Sequence, residues 1–111
     1  SASIVNVASM AGVTGAGSCL PYAASKGAMM TMTKSLARGL APQVRVNAVC
    51  PGVIESRWLK GHPEMIEGAM KVTPLGRPSL PEDVAEAVVY LACDAKMMTG
   101  QMLQMDGGRT I

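Results

Sequence analysis

The chain has 111 residues, enough for one small domain, and 49% of them are apolar, which supplies a packed core and excludes a disordered polymer. Ten basic and eight acidic residues leave a formal charge of +2 with no run able to neutralise several phosphates together, so nucleic acid is not an expected partner. Cys19, Cys50 and Cys93 have no metal-type spacing, and their odd number argues against a disulfide framework. A reducing, cytoplasmic compartment and no bound metal are therefore expected. No uninterrupted apolar run approaches the length of a bilayer span, so no membrane partner is expected.

Residues 3–8, Ser-Ile-Val-Asn-Val-Ala, form a short β-branched run that predicts a buried strand, followed by a turn segment rich in glycine and hydroxyl residues from Gly12 to Ser18. The chain starts at Ser1, not Met, and enters this strand almost at once, which leads us to expect one part of a longer domain. From Pro21 to about Leu40 the composition shifts to Ala, Met, Lys, Leu and Arg, with Gly39 and Pro42 as stop signals: a long helix. Residues 44–50 give a second strand, ended by Pro51-Gly52, because proline cannot donate to a ladder and glycine suits a turn.

Residues 53–80 mix prolines and glycines with Ile54, Trp58, Leu59, Met65, Ile66 and Met70, and read as a lid containing short helices that can exclude water from a moderately apolar substrate. Ordinary packing is the equal alternative. A further helix is predicted to begin near Pro81-Glu82-Asp83, where proline fits the first turn and two acids suit the positive end of the dipole. Its apolar stripe is Val84, Val88 and Leu91. Residues 101–105 are a third strand, closed by Asp106-Gly107-Gly108.

The order strand, helix, strand, lid, helix, strand makes two crossover units and predicts an α/β fold with a parallel sheet. Ligands bind such sheets beyond the carboxyl ends of the strands. Ser9 and Pro51-Gly52 follow the first two strands and should share that rim.

Tyr22 and Lys26, four apart at the start of the long helix, fall on one face about a turn apart. A phenol with an ordinary pKa of about 10 is a poor proton carrier at neutral pH, and an ammonium beside it stabilises the phenolate, so the pair makes an acid/base device. A Tyr and a Lys also meet at this spacing by chance in many helices. Ser9 raises the value of the pair, because its hydroxyl can bond an oxygen held beside Tyr22, although a serine there is equally a turn or cap residue. Cys19 and Leu20, just before Tyr22, are candidates to line a substrate pocket. His62 reads as a solvated lid residue with no acidic or cysteine partner at ligand spacing. Met29, Met30, Met32, Met97, Met98, Met102 and Met105 read as core or subunit interface and not as a soft metal site.

Residues 6–9 (Asn-Val-Ala-Ser), Tyr22-Ala23-Ala24-Ser25-Lys26, residues 46–52 (Val-Asn-Ala-Val-Cys-Pro-Gly), Thr99-Gly100-Gln101 and Asp106-Gly107-Gly108 together resemble the carboxy-terminal, catalytic half of short-chain dehydrogenase/reductases, similar to the 3-oxoacyl-carrier-protein reductases. The likeness covers residues 1–111. It implies the carboxy-terminal half of a Rossmann-like doubly wound parallel sheet, with NAD or NADP as cofactor and a secondary alcohol or ketone as substrate. It implies Ser9, Tyr22 and Lys26 as catalytic residues, Ser9 and Tyr22 at the substrate, where Cys19 is a candidate by position, and Tyr22, Lys26, Pro51, Gly52, Ile54 and Ser56 at the cofactor. Here the backbone of Ile54 would hold the carboxamide, and Ser56 supplies the hydroxyl where threonine is commoner. A homo-oligomer, dimer or tetramer through the long helix, is also implied. The glycine-rich pyrophosphate turn and the asparagine of the family's tetrad do not occur here, and Gly12, Gly15 and Gly17 follow the wrong strand to replace that turn. A non-catalytic scaffold that keeps the fold without binding cofactor is the reading of a different class.

Overall fold

The computed structural model describes residues 2–17 and 19–111, with Trp58 described in its backbone alone. Ser18, the end of the expected turn segment, and the lid-lining role expected of the Trp58 side chain therefore lie outside the described residues. The elements in chain order are β1 (Ala2–Val7), α1 (Met10–Thr14), α2 (Leu20–Leu40), β2 (Val44–Pro51), α3 (Arg57–Lys60), α4 (Pro63–Val72), α5 (Pro81–Val89), which runs on into a π-helical turn at Tyr90–Asp94, and β3 (Met102–Met105).

The three strands form one parallel sheet in the order β1-β2-β3, with Ala2 opposite Val44, Val7 opposite Val49 and Ala48 opposite Met102. Side chains alternate across a strand, so the sheet has two faces to cover. On one, Ala8, Ala48 and Cys50 pack against Met29 and Met30 of α2 and Met102 of β3. On the other, Val49 packs with Leu91 and Ala95, joined by Val5, Val84, Val88, Leu103 and Met105. Helices on both faces make the expected doubly wound arrangement. The stripe of Val84, Val88 and Leu91 faces the sheet as the periodicity requires. β2 lies between two partners, and from Val46 to Pro51 all its residues are buried.

Polar side chains lock the layers. Asn47 is fully buried, donating to the Met98 carbonyl at 2.9 Å and accepting from the Gln101 amide at 3.0 Å, so one amide group satisfies both ends of the loop into β3. Arg45 donates to the carbonyls of Leu91 (2.9 Å) and Ala92 (3.0 Å), which the helix end leaves without helical partners, and to those of Ala95 (2.7 Å) and Met98 (3.3 Å) beyond it. Asn6 donates to Thr33 Oγ1 at 3.0 Å, tying β1 to α2.

Two elements differ from the sequence reading. The turn segment after β1 contains α1, capped at one end by Ser9, whose Oγ accepts from the Ala11 amide, and at the other by Gly15 at φ +76°. The last helix ends in a π turn in place of a plain α-helical one. The methionines also divide: Met29, Met30, Met98, Met102 and Met105 pack on the core, whereas Met32 is exposed and Met97 fully so.

Candidate active site

The long helix reaches the rim of the sheet because α1 lies directly on it. A Cβ on Gly12 would stand 2.7 Å from the backbone of both Lys26 and Gly27, so only glycine permits this approach. Gly17 is equally constrained, 2.7 Å from the Ala11 Cβ by the same measure. These contacts bring the first turn of α2, with Tyr22, beside the end of β1, with Ser9.

An open cleft of about 260 Å³ is the result, and Ser9, Tyr22, Gly52, Ile54, Leu59 and Met65 are among the residues that line it. It joins the ends of β1 and β2 to the lid. Tyr22 is 40% exposed, so its phenol remains accessible. The Lys26 ammonium lies 5.7 Å from the centroid of the Tyr22 ring and donates to the Val7 carbonyl at 3.0 Å, which fixes the charge between the helix and the strand end. Ser9 Oγ accepts from the Ala11 amide with one of its two lone pairs and keeps its O–H proton for a further acceptor. The cap and the catalytic readings of Ser9 are thus compatible.

Ile54 forms a single parallel bridge with Ser79, in which Glu55 N donates to the Ser79 carbonyl (2.7 Å) and Ser79 N to the Val53 carbonyl (2.9 Å). Its neighbours supply those bonds, so the N–H and C=O of Ile54 itself are turned to the other side. One donor and one acceptor, side by side on the cleft wall, match a primary carboxamide. Pro51 is buried as the last residue of β2. The remaining two expected positions are not among the residues lining the cleft, although the groove holding Cys19 shares Ala11, Ala16 and Gly17 with it. Ser56 Oγ accepts from Leu59 N at 3.3 Å, starting α3, and lines a separate hollow with Glu55 and Arg57. Cys19 lines a groove of small residues along α1 and α2 with Leu20 and Ala24. His62 has the acidic neighbour that its sequence environment seemed to lack, Glu64 Oε1 at 3.4 Å from Nδ1. Among the described residues no group of three or more His, Cys, Asp or Glu can hold a metal ion.

Sequence reasoning missed Asp106 as more than a strand terminator. It is buried, accepting from the Gly108 amide (3.0 Å) and the Thr110 hydroxyl (2.7 Å), and a Cβ on Gly52 would lie 3.0 Å from its own. Burial alone would raise its pKa, but the Thr110 hydroxyl and the amides of Gly108, Thr110 and Asp106 itself outweigh it and hold the carboxyl below its ordinary range. Burial pushes the Cys50 thiol up, which leaves it a packing residue.

The family model described as enoyl-(acyl carrier protein) reductase matches residues 1–110. A curated relative, the short-chain dehydrogenase/reductase homolog YusR of Bacillus subtilis, is 44% identical over 97% of this chain and 83% of its own length. The chain belongs to the short-chain dehydrogenase/reductase family. The 3-oxoacyl-(acyl-carrier-protein) reductase FabG of Thermotoga maritima is 45% identical over 98% of this chain but 46% of that protein. Among solved structures, a short-chain dehydrogenase of Leptospira borgpetersenii with bound NAD+ superposes with a TM-score of 0.89 at 36% identity, over 98% of this chain and 44% of the other. The chain thus spans most of one relative and less than half of the other two. The part of the short-chain dehydrogenase/reductase fold it supplies is the one carrying Ser9, Tyr22 and Lys26.

Proposed function

We propose that the protein is an NAD- or NADP-dependent oxidoreductase that interconverts a secondary alcohol and a ketone, with Tyr22 as general acid/base. One observation carries this reading: Ser9, Tyr22 and the backbone of Ile54 line a single cleft at the carboxyl rim of the sheet, with the Lys26 ammonium beside the phenol. When bound, the nicotinamide supplies or accepts the hydride. The free N–H and C=O of Ile54 fit its carboxamide.

In ketone reduction Tyr22 gives its phenolic proton to the substrate oxygen, and in alcohol oxidation the phenolate takes that proton back. Ser9 donates a hydrogen bond to the same oxygen and fixes its place. Lys26, held by the Val7 carbonyl, keeps a positive charge 5.7 Å from the centre of the Tyr22 ring. Leu59 and Met65 of the lid give the cleft an apolar wall and limit water beside the reacting carbon. The apolar wall favours a substrate with a hydrocarbon body. A dimer or tetramer through α2 accords with the exposed small residues Ala24 and Ala28 and with Leu20, 80% exposed. Three free cysteines accord with a cytoplasmic setting, and among the described residues no helix is long and apolar enough to cross a membrane.

The test is Tyr22→Phe in the intact protein. Loss of a positioned proton donor should lower turnover by roughly 10²–10⁴-fold. Nicotinamide fluorescence on titration should give an affinity within a few fold of wild type. Turnover close to wild type would refute Tyr22 as the acid/base, and failure of the wild-type protein to bind either nucleotide would favour a non-catalytic scaffold.

A further inference from the structure

The lid runs from the end of β2 to the start of α5, and its two short helices, α3 and α4, pack mainly on each other. Its place over the cleft is therefore set by its stems. The incoming stem, residues 52–55, and the outgoing stem, residues 73–79, are joined by the Ile54–Ser79 bridge. Both then rest on three consecutive residues at the end of β3. Ser79 Oγ donates to the Met105 carbonyl at 3.3 Å. Gly52 lies against Asp106, where an added Cβ would be 3.0 Å from the Asp106 Cβ and 3.2 Å from its Cα. Leu75 N donates to the Gly107 carbonyl at 3.1 Å, and Gly107, at φ +66°, fits so closely under Thr73 that a Cβ would stand 2.5 Å from the threonine Cγ2.

This plate has one internal brace. The Asp106 carboxylate accepts from the Gly108 amide and the Thr110 hydroxyl, which holds the Gly107-Gly108 turn in its left-handed conformation. We infer that Asp106 is a positioning residue for the lid: through the Met105–Gly107 plate it sets where both stems stand, and so how closely Leu59 and Met65 cover the substrate cleft. The consequence for turnover rests on the cleft being the substrate site. The anchoring does not, because it is read directly from the backbone.

Hydrogen exchange of the intact protein tests the anchoring without turnover. Asp106→Ala removes both acceptors and should speed exchange in α3 and α4 about tenfold, with β2 and α2 within about twofold of wild type. Asp106→Asn keeps an acceptor for Gly108 and offers Thr110 a donor, so it should recover most of that protection. Thr110→Val, a milder change that covers the case in which the alanine variant does not fold, should speed the same lid amides about three- to tenfold. Unchanged exchange in α3 and α4, or an equal rise in β2 and α2, would overturn the inference. If the cleft is also the substrate site, Thr110→Val raises KM while kcat stays near wild type; a lid that loosens with no change in KM would leave the anchoring intact and count against the cleft.

Discussion

Gly12 shows how much of the candidate site depends on a missing side chain. The backbones of α1 and α2 meet there with no space for a Cβ, and Lys26 is one of the two residues at the contact. Neither backbone can yield without moving Ser9 or Lys26. Gly12→Ala should therefore cost about 1–3 kcal/mol, as overpacking does, and urea unfolding measures it. Asp106 offers a second test at this scale. A carboxyl held low in the folded state contributes stability that is present above its unfolded pKa, near 3.8, and lost as pH falls through the lower folded value. Asp83, held low first by its hydrogen bond from Arg77 at 2.7 Å and then by the Leu80 amide, titrates in the same window. The difference between wild type and Asp106→Asn isolates Asp106: the variant should lose less stability between about pH 5 and pH 2, as thermal melts across that range would reveal.

Elements with strong periodicity were legible in the sequence, and those made by contact between distant residues were not. β1, α2, β2, α5 and β3 fall within a residue or two of where β-branched runs, Pro21, Pro81 and the glycine stops place them. The same runs placed Ser9 and Pro51-Gly52 on one rim. α1 escaped because five residues of Met, Ala, Gly, Val and Thr have no period to detect; its only signals are the caps, Ser9 before it and Gly15 after it. The π turn escaped because no local residue pattern marks it, and the residue that binds its carbonyls, Arg45, lies far away in the chain. Ser56 was placed by motif and Cys19 by its position before Tyr22, and sequence position does not fix which hollow a residue lines: Ser56 lines one beside Arg57, and Cys19 a groove along α1 and α2 that adjoins the cleft. The Arg45 contact carries its own prediction. Arg45→Met keeps the stem and removes these charge-assisted hydrogen bonds, which should cost about 2–3 kcal/mol, the scale of a charged hydrogen bond. Exchange should accelerate first at Tyr90–Asp94.

Across the whole molecule, β1 is an edge strand. Ala2 and Ala8 donate to β2, so the alternate positions Ser3, Val5 and Val7 turn their amides and carbonyls outward. Lys26 takes up the carbonyl of Val7, and the rest form an edge of the kind that pairs with other strands. The 111-residue chain on its own should self-associate through β1, and Ser3→Pro should suppress this while leaving the ladder to β2 whole, since the Ser3 amide faces away from it. Sedimentation velocity distinguishes the two; a monomer at all concentrations would contradict the expectation.

Synthesis on the ribosome gives the position of the Met105–Gly107 plate a temporal meaning. β1, α2 and β2 are translated before the lid and can pair as they emerge, whereas the stems of the lid have nothing to rest on until some thirty residues after Thr73 have been added. The nascent protein thus carries Tyr22 and Lys26 beside an uncovered groove, and the cover is seated only once residue 107 has left the exit tunnel.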